Sequence, residues 1–313
     1  MADLVSQMFS GDRLALSRLI SMVEARSGDL VSLMSQVQTR CGKAYKIGVT
    51  GPPGAGKSTL TDKLIAHLRK QGKTVGVVAI DPSSPFSGGA VLGDRIRMQD
   101  HAGDEGVFIR SLGSRGSLGG ISRATREVVK LFDAFGMDHV IVETVGVGQT
   151  ELDIMEIVDT TVVILTPESG DAIQTMKAGI LEIADVFVVN KSDRDGAPMM
   201  QAELKAMLEL GAHGPSDWMP PALLVQANKD QGVRELLNAI EDHHAFRRQA
   251  HPDAGKKRKI ALEEVKEIVL EETALRLAKI LPDEVKGEIS NPYDVASGYV
   301  NLIEKALRKK QNG

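Results

Sequence analysis

Along the first 43 positions, apolar residues recur three and four apart. They fall in three groups: Leu4, Val5, Met8; then Leu14, Leu16, Leu19, Ile20, Val23; then Leu30, Val31, Leu33, Met34, Val37. This spacing predicts short amphipathic helices broken at Gly11-Asp12 and Gly28-Asp29, whose apolar faces must pack on something downstream. From 44 to 250 the pattern changes to continuous apolar runs separated by amphipathic segments. The runs predict strands at Lys46–Val49, Thr74–Ile80, Val107–Arg110, His139–Glu143, Thr161–Thr166, Val186–Val189 and Leu223–Gln226. Helices are expected at Thr59–Lys70, Ile121–Phe135, Glu151–Ile157, Ile173–Ile183, Met199–Leu210 and Val233–Phe246. That alternation is the sequence form of an α/β fold, a parallel sheet covered by helices on both faces.

The stretch His251-Pro-Asp-Ala-Gly-Lys-Lys-Arg-Lys259 reads as a linker whose basic run is a solvated helix start. Beyond it, Leu262, Val265, Ile268, Val269, Leu275, Leu277, Ile280 and Leu281 predict an amphipathic helix, with a second near Asp294–Leu307. The expected organisation is a helical segment over 1–43, a nucleotide-binding domain over 44–250 and a helical extension over 251–313. Two loop-like stretches, Ser83–Gly89 and Gly113–Gly120, follow predicted strands, at the edge where open α/β folds bind ligands.

Composition narrows the class. A chain of 313 residues with 42% hydrophobic content can bury a sizeable core. A net charge of −4 argues against nucleic acid as the main partner and against a polybasic membrane anchor. Cys41 is the only cysteine, so an internal disulfide framework is excluded and a reducing compartment fits. No apolar run is long enough to span a bilayer, and the N-terminus lacks the form of a secretory signal, so the expectation is a cytoplasmic protein with no membrane partner.

The chemistry concentrates at Gly51-Pro52-Pro53-Gly54-Ala55-Gly56-Lys57-Ser58, with a strand before it and a helix from Thr59 after it. This is the phosphate-loop pattern in full. Its glycines allow a tight turn in which successive N–H groups and a helix N-terminus surround an anion. Lys57 would set its ammonium against the outer phosphates, and the Ser58 hydroxyl would ligate Mg²⁺. At the end of a later strand, Asn190-Lys191-Ser192-Asp193 fits the guanine-reading pattern. Guanine offers N1–H and its 2-amino group as adjacent donors to the Asp193 carboxylate, whereas adenine offers neither. Asn190 would face the base edge or brace the loop, and the Lys191 stem would cover the ring. Gln226-Ala227-Asn228, one strand later, is placed to meet the guanine oxygen through backbone N–H.

Glu143 ends a buried strand, and in Glu143-Thr-Val-Gly146 the acid suits Mg²⁺ held through water while Gly146 presents an N–H to the γ-phosphate. Asp81 and Asp94 are further candidates for the metal shell or for a water near that phosphate. Arg95, Arg97, Arg110 and Arg115 could supply charge to the transferring group, and residue type does not choose among them. Gln149 stands too far past Gly146 to match the water-positioning glutamine of small GTPases, so slow intrinsic hydrolysis accelerated by a partner is expected.

Taken together, the phosphate loop, Asp81-Pro-Ser-Ser-Pro85, Gly93-Asp-Arg-Ile-Arg-Met98, Glu143-Thr-Val-Gly-Val-Gly-Gln149 and Asn190-Lys-Ser-Asp193 resemble the MeaB-type GTPases. These are chaperones of adenosylcobalamin-dependent methylmalonyl-CoA mutase, related to the human methylmalonic aciduria type A protein. The resemblance covers nearly the whole chain. It implies a P-loop NTPase fold of the SIMIBI-like G-domain type, with GTP/GDP and Mg²⁺ as cofactors and an acyl-CoA mutase as partner. It also implies a homodimer built by the C-terminal extension. On that resemblance Lys57, Asp81, Asp94 and Glu143 take the catalytic roles, and Ser58, Asp81, Asp94 and Glu143 the metal. Gln174 and Lys177, in Gly170-Asp-Ala-Ile-Gln-Thr-Met-Lys177, become candidate relays to the mutase, although the same stretch reads plainly as a helix start.

Two other functions fit the phosphate loop. A GTPase that inserts metal into a nickel enzyme would ordinarily carry clustered Cys and His. Here the adjacent His243-His244 read as a solvated helix face. A P-loop kinase would need an acceptor pocket, which the long loops could form.

Overall fold

The computed structural model describes residues 2–81, 101, 103–113, 122–144, 154–168, 181–210, 217–249, 254–278, 291–294 and 296–300. Seven strands form a single sheet: β1 (Tyr45–Thr50), β2 (Val75–Asp81), β3 (Val107–Gly113), β4 (His139–Glu143), β5 (Thr160–Leu165), β6 (Val186–Asn190) and β7 (Ala222–Val225). The order is β3-β2-β4-β1-β5-β6-β7 and every neighbouring pair is parallel. This is the expected α/β architecture, and each predicted strand is present with its ends moved by a few residues at most.

Continuous apolar runs arise because both faces are covered, and side chains simply alternate between two cores. Ile47, Val75, Val77, Val162 and Val186 face a core shared with helices α4 (Lys57–Lys70) and α7 (Val233–Gln249). On the opposite face, Val78, Ile80, Val140 and Val142 pack with α5 (Arg123–Phe135), while Val163, Leu165, Phe187 and Val189 pack with α6 (Ala197–Leu210).

The three N-terminal helices α1 (Ala2–Phe9), α2 (Arg13–Glu24) and α3 (Leu30–Gln38) join the α5 core through Met8, Leu16, Leu19, Ile20, Leu33 and Val37. All six are fully buried, each contributing about 1.5–3 kcal/mol of apolar transfer. The breaks read from sequence have a physical cause. Asp12 caps α2 by accepting from Leu14 N at 2.8 Å and Ala15 N at 3.1 Å, and Asp29 caps α3 by accepting from Ser32 N at 3.1 Å. The entry into β1 is held by one buried carboxylate. Asp133 accepts from Gly42 N at 2.8 Å, Lys43 N at 3.0 Å and Ala44 N at 2.9 Å, and pairs with Lys46 Nζ at 2.8 Å. Burial pushes this carboxyl up, but those N–H groups and the Lys46 ammonium hold it below its ordinary value.

One expectation needs correction: the described part of the predicted helix Glu151–Ile157 is a 3₁₀ turn at Ile154–Glu156, whose Ile154 is fully buried. The basic run Lys256–Lys259 lies in the first turns of α8 (Ala254–Ala278), with Arg258 exposed, as its reading as a helix start expects, so the linker is shorter than the stretch His251–Lys259. The chain forms two compact units, Met1–Pro252 and Asp253–Gly313. Within the second, α8 exposes Leu262, Val265, Val269 and Leu270, and residues 292–294 and 296–300 are helical. The rest of the helix predicted near Asp294–Leu307 lies outside the described residues. No described helix is long and apolar enough to cross a membrane.

Candidate functional site

The chain leaves β1 toward β2 on one side and leaves its neighbour β5 toward β6 on the other, which places the crevice for a ligand beyond the carboxyl ends of β1 and β5. The phosphate-loop residues 51–56 occupy that position, and α4 begins at Lys57. Gly51 has φ 144°, and a Cβ there would lie 2.1 Å from Ile164 O, so only glycine fits where the loop leaves the sheet. Gly56 has φ 90°, and a Cβ would lie 2.4 Å from Asn190 Nδ2, which excludes a side chain at the helix N-cap. Lys57 is buried, its ammonium donating to Gly51 O at 2.9 Å and Pro52 O at 3.1 Å, so it is folded over the loop.

Glu143 at the end of β4 pairs in register with Val49 of β1, which sets it beside the start of α4. There the Ser58 hydroxyl donates to Glu143 Oε1 at 2.6 Å, with both residues buried. The glutamate therefore reaches the phosphate-loop serine directly, despite being one methylene longer than the more common aspartate. Thr50 and Thr144, the residues that end β1 and follow β4, share a buried hydroxyl–hydroxyl bond of 2.8 Å. Two oxygen-bearing groups in contact at a helix start are a donor set that suits a hard divalent cation, so the residues fit Mg²⁺.

Asn190 ends β6 and ties two loops together. Its Nδ2 donates to Ala55 O at 2.7 Å, and its Oδ1 accepts from Ala227 N at 3.1 Å. Of the two roles open from sequence, it braces the phosphate loop. Lys191 follows with φ 56°, a left-handed turn rare outside glycine, and Ser192 N donates to Val225 O at 3.1 Å. Asp193 is exposed at the tip of that turn. Gln226–Asn228 sits beside it, but Gln226 N donates to Gln231 O at 3.0 Å and Ala227 N is held by Asn190. Two of the three backbone N–H groups expected to face a base are thus engaged within the protein.

Lys57, Ser58, Glu143, Asn190, Lys191, Asp193 and Ala227 are brought to one edge of the sheet. Asp81 ends β2, paired with Gly113, and its side chain lies outside the described residues. Asp94, Gly146, Gln174 and Lys177 lie outside them, as do Gln149, Arg95, Arg97 and Arg115. Arg110 turns away from the phosphate loop to pair with Glu24 of α2 and to donate to Ser21 Oγ at 3.3 Å. Sequence reasoning missed Glu168, whose carboxylate meets Lys191 Nζ at 3.3 Å and also pairs with Arg194. An acidic residue just past a strand beside the guanine-reading motif was the available signal.

The fold and this edge define a P-loop GTPase. The family model described as Methylmalonyl Co-A mutase-associated GTPase MeaB matches residues 16–280, and the chain belongs to that family. A relative from Pyrococcus horikoshii named as a GTPase is 45% identical over 301 residues, covering 96% of this chain and 92% of that one. The GTPase ArgK of Escherichia coli is 38% identical over 250 residues, covering 77% and 75%. The solved structure of a LAO/AO transport system kinase superposes with a TM-score of 0.72 at 26% identity, covering 97% of each chain.

Proposed function

We propose that this GTPase is a chaperone of an adenosylcobalamin-dependent acyl-CoA mutase, methylmalonyl-CoA mutase or a relative, and that it couples GTP hydrolysis to loading, protecting or reactivating its client. The family match over residues 16–280 is the observation that carries this reading. A mouse homologue of the methylmalonic aciduria type A protein, 35% identical over 256 residues and covering 76% of this chain and 62% of that one, supports it.

In this reading, phosphate-loop residues 51–59 cradle the triphosphate and Lys57 moves from its loop carbonyls onto the outer phosphates. Ser58 and Glu143 hold Mg²⁺ together with Asp81 and Asp94, and the ion would neutralise charge developing on the transferred phosphoryl group. Gly146 donates its N–H to the γ-phosphate. Asp193 reads the base with Lys191 covering it, Asn190 keeps their loop against the phosphate loop, and Gln226–Asn228 closes the far side. Gln174 and Lys177 relay to the mutase. The organisation we propose is a helical segment over 1–43, a GTPase domain over 44–250 and a dimerising extension over 251–313. The exposed apolar residues Leu262, Val265 and Val269 of α8 support the dimer, since they recur three and four apart. The single cysteine supports a cytoplasmic setting.

The test is steady-state GTP hydrolysis with Mg²⁺, alone and with a purified adenosylcobalamin-dependent acyl-CoA mutase. The expected result is a slow GTP-selective rate that rises by at least about tenfold with the mutase, as partner-stimulated GTPases do. No stimulation overturns the mutase as client. Phosphate retained on an acceptor, rather than released, would overturn hydrolysis in favour of a kinase.

A further inference from the structure

The turn that carries Asp193 holds two cations within two positions of it, Lys191 before and Arg194 after. Arg194 N donates to Lys191 O at 3.0 Å, which closes the turn around Asp193 and keeps the three residues on one short loop. A carboxylate so flanked would ordinarily pair with one of them. Instead, Asp193 is exposed and has no ion pair among the described residues. Both cations are drawn to a different acid. β5 and β6 are parallel neighbours with Leu165 opposite Val189, so the residues leaving β5 run beside the turn leaving β6. Three positions past Leu165, Glu168 offers Oε2 to Lys191 Nζ at 3.3 Å and Oε1 to Arg194.

We propose that Glu168 is a specificity-determining positioning residue. It sequesters Lys191 and Arg194 so that the Asp193 carboxylate stays available to the adjacent N–H donors of a guanine base. The inference rests on the base-reading role proposed for Asp193. Exposed ion pairs contribute little to stability singly. The consequence here is on binding, because a cation on Asp193 competes for the same two oxygens that the base must occupy. Fixing the Lys191 head on Glu168 also leaves its methylene stem available to lie over the ring.

The experiment uses the full chain with GDP, GTP and inosine triphosphate, which lacks the 2-amino donor. Glu168→Gln preserves size and removes the charge. The expected result is a loss of GDP affinity of about three- to tenfold, the scale of one or two exposed charge pairs, that shrinks at high salt. The preference for GTP over the inosine nucleotide should fall by a similar factor, with kcat at saturation unchanged. Glu168→Asp should recover part of the loss. Glu168→Gln combined with Arg194→Ala should recover part of it, because one of the two competing cations is gone and Lys191 remains.

Unchanged affinity and preference in Glu168→Gln overturn the proposal. So does an equal loss for both nucleotides, or a deeper loss in the double variant, since either points to a merely structural contact. Asp193→Asn separates this inference from the reading beneath it. If that variant keeps its guanine preference, the base-reading role of Asp193 fails. If it loses the preference while Glu168→Gln behaves as the parent, only the role of Glu168 fails.

Discussion

At the amino end of the sheet, Tyr45 of β1 bonds Thr160 of β5, and Thr160 Oγ1 meets His243 Nδ1 at 2.7 Å. His243 Nε2 lies 3.3 Å from Asp185 Oδ1, and Trp218 Nε1 donates to Asp185 O at 2.7 Å. With the ring neutral the chain runs one way: tyrosine to threonine, threonine to Nδ1, Nε2–H to the carboxylate. At the carboxyl end, Lys57 rests on loop carbonyls and Ser58 on Glu143, where oxygens gather at a helix start. The first set closes on itself and can only stabilise. The second consists of groups whose present partners can be exchanged for phosphate or a cation. One sheet thus puts fixed polar bonds at one end and exchangeable ones at the other.

The sharpest way to break this comparison is Lys57→Ala. If the carboxyl end serves chemistry, GTP hydrolysis should fall on the order of 10²–10³-fold, the scale for removing one positioned donor from a developing charge. Thermal stability should fall by only about 1–3 kcal/mol, the cost of leaving the carbonyls of Gly51 and Pro52 without the ammonium. A protein that unfolds early, or that hydrolyses GTP normally, would show that the two ends do not differ in this way.

The amino end should respond to pH. Burial pushes His243 down to about 4, with Arg247 and His244 adding to the effect, and burial likewise pushes His139 down to about 4. The ordinary value is 6.5, so between these limits the unfolded chain binds protons that the folded chain does not. Stability is complete above 6.5 and is lost as pH falls toward 4, by on the order of 3 kcal/mol per fully shifted group. Urea unfolding at about pH 7 and about pH 4.5 checks this, with His243→Gln expected to flatten the dependence. An identical slope in that variant would remove His243 from the account.

These two ends were unequally legible in the sequence. The strands could be read because a parallel strand covered on both faces leaves an unbroken apolar run, and the helix breaks because Gly-Asp supplies both a stop and a cap. The phosphate loop was readable because its chemistry demands glycines at fixed spacing. The amino-end network was not. His243-His244 read as a solvated helix face, whereas His243 is 4% exposed and His244 stacks on Tyr45 at 3.8 Å. Whether a histidine on an amphipathic helix is buried depends on partners far away in sequence, here Thr160 and Asp185, and no local pattern carries that. The tie from Glu168 to Lys191 was hidden for the same reason, since the register of β5 against β6 creates it.

Asn190 belongs to both kinds of polar group. Its bonds to Ala55 O and Ala227 N are fixed, yet they hold together the two loops that would receive phosphate and base. Asn190→Ala should therefore cost stability, about 2 kcal/mol for one acceptor and one donor left without partners in a buried site. It should also weaken GDP by roughly tenfold if the loops lose their registration. Calorimetric unfolding paired with GDP titration tells the cases apart. A stability loss without an affinity loss would move Asn190 to the structural side.

The smallest effect expected comes from Tyr45→Phe, which removes one hydroxyl and leaves the ring. That hydroxyl bonds Thr160 Oγ1 and lies 3.4 Å from Ile240 O, and burial holds its pKa well above the ordinary value of 10.0, so it acts only as a neutral donor. Thr160 Oγ1 keeps its bond to His243. The loss should be about 1 kcal/mol, the net value of one internal hydrogen bond. GDP affinity and GTP turnover should match the parent, since Tyr45 starts β1 and the phosphate loop follows its other end. A variant equally stable but slower in hydrolysis would mean that the two ends are coupled through β1, and the separation drawn from their hydrogen bonds would not hold.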